Sequence, residues 1–370
     1  MTLTNYWWLL LWILIVGGAI SFFCRQKTEI VLGKVETRWY VFSAIFLIFP
    51  YIIWAGFRTG SDFGDTFAYE AMFEEAPSSL SSLSGYLQEV SKDKGFSVLM
   101  VVFKTIFGNN FTLFLFLIAA FQLLCVALVY RKFSCDYWFS IFIFIASCDY
   151  LSWTFNGIRQ FIAVTMIFAA SELLFKKKYL PLILIILLAS TVHASALLML
   201  PIILVVQGKA FNSKTILCVI AACVALVFVD QFTEILDTLV ADTQYQDAVS
   251  DWQTWNDDGT SPIRVLVYSV PAIISLIGLK RIRKVDDPVI NISVNISILT
   301  TALELISMGT SGILLGRLPI FVSLWAMGIA LPWCINNIFT EKSAQIIKLC
   351  AVFCFCLYFY YQMHFTWGIL

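Results

Sequence analysis

The sequence predicts an all-α polytopic membrane protein, and three observations carry that reading. Of the 370 residues, 60% are hydrophobic and only 13% charged, and mean hydropathy is +0.86, outside the mix of a soluble domain. The apolar residues fall into runs that reach or approach the length needed to cross about 30 Å of hydrocarbon. These runs begin near residues 6, 39, 110, 137, 157, 213, 263, 288, 311 and 344. The basic residues, finally, are biased to one side: 17 of the 24 Lys and Arg fall in segments on the inner side, as the positive-inside rule requires.

Taken in order, the first run, Tyr6 to Cys24, lacks a basic leader and a small-residue cleavage site, so it is expected to be a retained span rather than a signal peptide. With its start outside, the segment Arg25 to Arg38 lies inside, and so do Arg131-Lys132, Lys176-Lys177-Lys178 and Lys280 to Lys284. The second run opens into an outer loop, 58–94, rich in carboxylates. Residues 95–107 are too short to span and are expected to lie in the interface or re-enter, which extends that outer region to 109. Residues 179–207 are long for one helix, short for two, and interrupted by Thr191, His193, Ser195 and Pro201. A single crossing there would place Lys280, Arg281, Arg283 and Lys284 outside, so a short helical hairpin with His193 at its outer apex is predicted. The result is one transmembrane domain over 1–370 with about 12 crossings. Both termini are then extracytoplasmic, and a second acidic outer loop spans 231–262.

Composition excludes several function classes. Lys plus Arg and Asp plus Glu each number 24, so nothing draws the chain to nucleic acid. The ten cysteines lie in or beside apolar runs except Cys135, and no paired CxxC or histidine cluster accompanies them. Neither a metal nor a cofactor is expected. The loop 231–262 alternates carboxylates with Trp252 and Trp255, which suits sugar binding, although a solvated acidic loop with interfacial tryptophans has the same composition. No internal repeat of a transporter kind is present, and the sequons at Asn110, Asn291 and Asn295 fall in or beside spans and are set aside.

Four segments place polar groups at the outer face. In Asn156-Gly157-Ile158-Arg159-Gln160, Asn156 shares a helix face with Arg159 and Gln160 at the start of a span, where a helix N-terminus adds its positive end to the guanidinium. An arginine snorkelling to the surface is the plainer alternative. In Thr191-Val192-His193-Ala194-Ser195 the histidine can accept a proton near neutral pH; it could equally bond a neighbouring helix. His364 has no comparable setting. Arg317 follows a run of small residues from Gly309 and is expected about two turns into a span, with Glu304 as a candidate ion-pair partner. From Arg58 to Tyr69 a glycine-punctuated turn containing Asp62 leads to Asp65, a plausible N-cap for a helix bearing Tyr69. Cations gathered with one proton acceptor suit a polyanionic lipid head such as a pyrophosphate.

The pattern Arg58, Gly64-Asp65-Thr66-x-x-Tyr69-x-x-x-Phe73, Asn156-x-x-Arg159-Gln160, His193-x-Ser195-Ala196 with Pro201, and Gly316-Arg317-Leu318 resembles the EpsG family of Wzy-type polysaccharide polymerases over roughly residues 40–335. It departs where a Glu-Pro-Gly-Phe type segment is expected and Asp93-Lys94-Gly95-Phe96 stands instead, and where Ile320-Phe321 follows Arg317. The resemblance implies a metal-independent, GT-C-like glycosyltransferase of the bacterial inner membrane. It would join undecaprenyl-pyrophosphate-linked oligosaccharide repeats at the outer face, as in O-antigen or capsule synthesis, with a chain-length regulator protein as a partner. Arg159 and Arg317 would then stabilise the pyrophosphate leaving group and His193 activate the acceptor hydroxyl, with Asp65 orienting one of them or replacing the base. Arg58, Asn156, Gln160, Tyr69, Asp62 and Ser195 would line the substrate. A lipid-linked glycan flippase needs the same anion cavity but polar groups reaching the inner side, where few occur; a glycan ligase shares the chemistry. A membrane acyltransferase also uses a buried histidine, but its cofactor approaches from the cytoplasm.

Overall fold

The structure is a computed structural model and describes residues 6–24, 26–60, 64–228, 259–309 and 315–368. The chain comprises two compact units, Met1–Leu200 with Lys348–Leu370, and Pro201–Ile347.

Every apolar run read from the sequence carries a helix. Phe111–Phe133, Pro288–Met308, Leu315–Ile338 and Glu341–Thr366 are long and apolar enough to cross a membrane. Two bent pairs raise the candidate spans to six: Tyr137–Ala146 with Asp149–Asn156, at 68°, and Pro262–Ile277 with Leu279–Val285, at 73°. Six shorter apolar helices accompany them, among them Val41–Gly56, Ile158–Ala169 and Tyr179–Val192. The chain is a mainly helical, multi-pass membrane protein. Residues 179–207 do not form one rod: the helix stops at Val192, His193 takes an extended conformation (φ −153°, ψ 118°), and a 3-10 turn, Ala194–Leu198, follows.

The all-α expectation needs one correction. Gln26–Val31 and Lys34–Trp39 pair as an antiparallel hairpin, closed by Leu32 and Gly33 in left-handed conformations. The physical cause is local: the segment alternates β-branched and charged residues around a two-residue turn, so extended pairing satisfies its backbone better than a helix would.

In the first unit, Val41–Gly56 packs along Phe111–Phe133, and buried tyrosines tie the helices together. Tyr51 donates to the Leu9 carbonyl (2.5 Å), Tyr137 to Ala44 (2.8 Å) and Tyr150 to Tyr51 (2.7 Å), so each apolar ring is buried with its hydroxyl satisfied. At one end the helix Thr66–Glu75 lies on Lys94–Phe107, the amphipathic helix anticipated near 95–107. Phe73 is fully buried against Phe103, Phe111 and Phe114. Lys104, 4% exposed, donates to the carbonyls of Phe73 (2.8 Å), Glu74 (3.1 Å) and Ala76, closing the C-terminus of the upper helix.

The second unit is built around Pro288–Met308. Asn291 and Asn295, both buried, accept from the backbone amides of Ala210 (3.1 Å) and Phe211 (2.9 Å), and Asn295 donates to Val206 (2.9 Å) and Lys209 (3.1 Å). These sequons therefore act as clamps on the 206–211 loop, which agrees with setting them aside. The outer loop 231–262 lies almost wholly outside the described residues.

Candidate functional site

The site in the first unit begins with a distorted helix. Cys148 adopts a left-handed conformation (φ 64°), turning the chain, and residues Ser152–Asn156 form a π-turn that ends at Gly157. Such widened turns leave backbone groups free for tertiary partners. The Asn156 carbonyl accepts from the Tyr69 hydroxyl (3.2 Å), and its Oδ1 accepts from the Asp65 amide (3.1 Å). Gly64, at φ 92°, makes this approach possible: a Cβ there would stand 2.2 Å from Asn156 Oδ1. Phe155, one residue earlier, lies under the Arg58 guanidinium at 4.6 Å.

Arg159 opens the next helix, Ile158–Ala169, and its Nη1 pairs with Asp93 Oδ2 at 2.8 Å. The Asp93 side chain is 4% exposed and that of Arg159 22% exposed, so the pair is largely withdrawn from water on the carboxylate side only. Arg159 also stands 5.9 Å over the Tyr69 ring, while its buried Nε makes no hydrogen bond among the described residues. Asp93 belongs to the segment Asp93-Lys94-Gly95-Phe96, where the sequence departs from the Glu-Pro-Gly-Phe pattern. It sits in the left-handed conformation (φ 53°) immediately before Lys94–Phe107 and makes no side-chain capping bond to that helix. Burial pushes the Tyr69 phenol up, and the neighbouring Arg159 opposes that shift.

The turn that carries His193 approaches the Asp93 turn where Gly95 packs on Thr191. A Cβ on Gly95 would lie 2.3 Å from Thr191 Oγ1 and 2.7 Å from its carbonyl carbon, so only glycine lets the Asp93 turn and the His193 turn meet. The Ala196 amide donates to the His193 carbonyl (3.1 Å), which holds the break closed. Ser195, half-buried, lies within the same 3-10 turn. Gln160 is buried at the start of the Arg159 helix.

Not every predicted residue is placed as expected. Arg58 is 5% exposed and committed to structure: Nε donates to Thr66 Oγ1 (2.9 Å) and Nη1 to the Ala55 carbonyl (2.6 Å), tying the end of Val41–Gly56 to the start of Thr66–Glu75. Asp65 occupies the N-cap position, but its exposed side chain makes no capping bond. Asp62 lies outside the described residues.

In the second unit Arg317 is exposed in a 3-10 turn, Leu315–Arg317, rather than two turns into a span. Pro319 delays the regular helix until Ile320, which lifts the guanidinium to the helix mouth. Its neighbour Gly316 abuts the Thr260 hydroxyl, which accepts from Ser307 (2.8 Å). Glu304, fully buried, pairs with Arg264 at 3.3 Å, and Arg264 lies 5.2 Å over Tyr268. Arg264 escaped the sequence reading although, like Arg159, it stands in the first turn of an apolar helix. Among the described residues no group of three or more His, Cys, Asp or Glu is arranged to hold a metal ion.

A multi-pass protein that keeps one arginine partly bonded at the end of a helix bundle, braced by a carboxylate and an aromatic ring, has the makings of an anion receptor beside the bilayer. The chain belongs to the EpsG family, a Wzy-like polymerase family, whose pattern it matches over residues 39–367. No curated protein and no solved structure matches it significantly.

Proposed function

We propose that the protein polymerises polysaccharide repeat units carried on undecaprenyl pyrophosphate, at the outer face of the cytoplasmic membrane, within a bundle of about 12 crossings of GT-C-like kind. The observation that carries this reading is the Arg159–Asp93 pair. It leaves a half-satisfied guanidinium at the start of an apolar helix, where family membership calls for a site able to meet a charged lipid head.

The chemistry is a glycosyl transfer. The acceptor sugar's hydroxyl oxygen attacks the anomeric carbon of the donor; a new C–O glycosidic bond forms as the bond to pyrophosphate breaks. The hydroxyl proton passes to His193, and the lipid pyrophosphate leaves with the bonding electrons. Because that leaving group is already activated, cations suffice to stabilise the charge building on it. Arg159 serves that purpose in the first unit. Asp93 positions Arg159, while Asn156 and Tyr69 hold the Asp65 turn open to the sugar. Asp65 is the alternative base. Arg58 is better understood as a structural tie than as a phosphate ligand.

The test is polymerisation in a deletion strain complemented with variants. R159A and H193A should each reach the membrane at normal levels yet leave single repeats on the lipid, a loss of about 100-fold or more in turnover. Normal chain lengths from both variants would reject the reading. Absence of lipid-linked repeats from the outer face, in the deletion strain, would favour a flippase, and a fully formed but unattached polymer would favour a ligase.

A further inference from the structure

The helix Ile158–Ala169 begins at Arg159 and ends, about 15 Å further along, beside an open cavity of about 410 Å³ that the reaction does not use. Three elements form it: that helix, the short helix Ser171–Phe175, and the first two turns of Tyr179–Val192. The join between the last two is a C-terminal cap. The Lys178 amide donates to the Leu173 carbonyl (2.8 Å) and the Lys177 amide to that of Leu174 (3.2 Å), with Lys177 in the left-handed conformation (φ 56°). With the chain turned in this way, Lys176 and Lys178 line the cavity, whereas Lys177, between them, does not.

The wall combines two chemistries. Met166, Leu173 and Ile185 supply its apolar part, and Glu172, Lys176 and Lys178 its polar part. Glu172 does not repel an anion here, because its carboxylate is already bonded by Lys176 and by Lys132, from the last turn of Phe111–Phe133. Lys178 is exposed and makes no ion pair or side-chain hydrogen bond among the described residues. Three lysines to one carboxylate leave the cavity net positive. Next to it Leu180, Leu184 and Leu188 stand exposed about one turn apart, so this flank of Tyr179–Val192 faces hydrocarbon in a protein that spans a bilayer. A phosphate ester carried on an acyl chain meets both parts of the wall, which a soluble phosphate ester would not. Basic pockets between membrane helices suit anionic headgroups for this reason.

We propose that this cavity holds an anionic phospholipid as a resident of the fold rather than a substrate, its phosphate at Lys176 and Lys178 and its acyl carbons on Met166, Leu173 and Ile185. The site is independent of the polymerase reading, since no residue of the reaction enters it. In the test, full-length protein in detergent is titrated with phosphatidylglycerol, or with phosphatidylethanolamine of the same chains, and bound lipid is counted by native mass spectrometry. One phosphatidylglycerol is expected to stay on the protein at concentrations where phosphatidylethanolamine does not. K178Q should weaken that binding about fivefold, the effect of one cation at a lipid surface. A169W, which fills the cavity from an exposed position, should weaken it without any change of charge. K177Q removes the same charge from the same turn but outside the cavity, and should leave retention unchanged. Equal losses in K177Q and K178Q would reduce the effect to general surface charge and overturn the proposal, as would equal retention of the two lipids. Displacement of the lipid by an equal concentration of glycerol 3-phosphate would assign the cavity to a soluble phosphate ester and overturn it as well.

Discussion

The two ends of the first unit use the same residue type in opposite ways. The helix Phe111–Phe133, 23 residues long and so about 34 Å from end to end, separates them. At the Phe133 end the described arginines Arg38 and Arg131 each bond backbone carbonyl oxygen and a carboxylate. Arg131 donates to the Trp39 carbonyl (2.6 Å) and pairs with Glu29 (2.6 Å); Arg38 donates to the carbonyls of Lys132 (2.9 Å) and Thr37 (3.2 Å) and pairs with Glu36 (3.5 Å). Toward the Phe111 end, on a helix that starts beside Gln122, Arg159 has one carboxylate and an Nε with no hydrogen bond among the described residues. An arginine bonded to both backbone and carboxylate is a fastener. One that keeps a buried donor unmatched carries a cost of about 1–3 kcal/mol in the resting protein, which an anionic ligand can remove. The difference between the ends is thus one of completion, and it tells architecture from a site more clearly than charge or depth alone.

The comparison is sharpened most by removing what holds the unfinished arginine. D93N keeps the shape of the side chain but loses its charge, so Arg159 should drift from its place, and turnover should fall by about 10- to 100-fold, since a shift of about 1 Å can cost 10²-fold. D93E should recover part of that loss, because a carboxylate is again within reach, and the amount of protein in the membrane should stay unchanged in both. Equal activity of D93N and wild type in a reconstituted polymerisation would mean that Asp93 has no positioning role.

Much of this arrangement could be read from the chain, and what could not shares a cause. Helices follow from local spacing and apolar length, so each predicted run found its helix, and the break at His193 was signalled by polar residues among leucines. The Arg159 and Asn156 motif was visible because its members are three residues apart. Asp93 and Arg159 are not: no local pattern links residues so far apart in sequence, and Arg264 with Glu304 is the same case. Arg58 shows the same dependence on the fold. Its position at a span end fitted a ligand site, but whether its donors were already used depended on Thr66 and Ala55, which only the fold brings to it. The hairpin 26–39 did carry its alternating signal, masked by a basic composition that a cytoplasmic connection explains equally well.

A smaller effect is expected at the finished end. R131A removes a guanidinium whose side chain is 8% exposed and leaves Glu29, 27% exposed, without its main partner. The carboxyl of Glu29 is held below its ordinary value chiefly by the hydrogen bond from Arg131, opposed by burial. Because Glu29 keeps contact with water, the cost should fall between those of surface and buried pairs, about 1–2 kcal/mol, seen as a drop of a few degrees in melting temperature. Polymerisation per folded molecule should not change. A loss of turnover in R131A as large as in R159A would erase the distinction between the ends.

The smallest effect belongs to Glu172, gripped by Lys132 and Lys176 at the same end. Hydrogen bonds from Lys132, then Lys176, lower its carboxyl from 4.5 to about 2, against the opposing effect of burial. A folded-state value below the unfolded one means stabilisation that is complete above 4.5 and is lost as pH falls from 4.5 through about 2. With the side chain 35% exposed, solvent screening keeps the contribution below about 1 kcal/mol. E172Q should therefore melt a degree or two below wild type at pH 7, and the gap should narrow as the pH is taken below 4.5. A gap that widens on acidification would show that the two lysines stabilise this end through something other than the charge on Glu172.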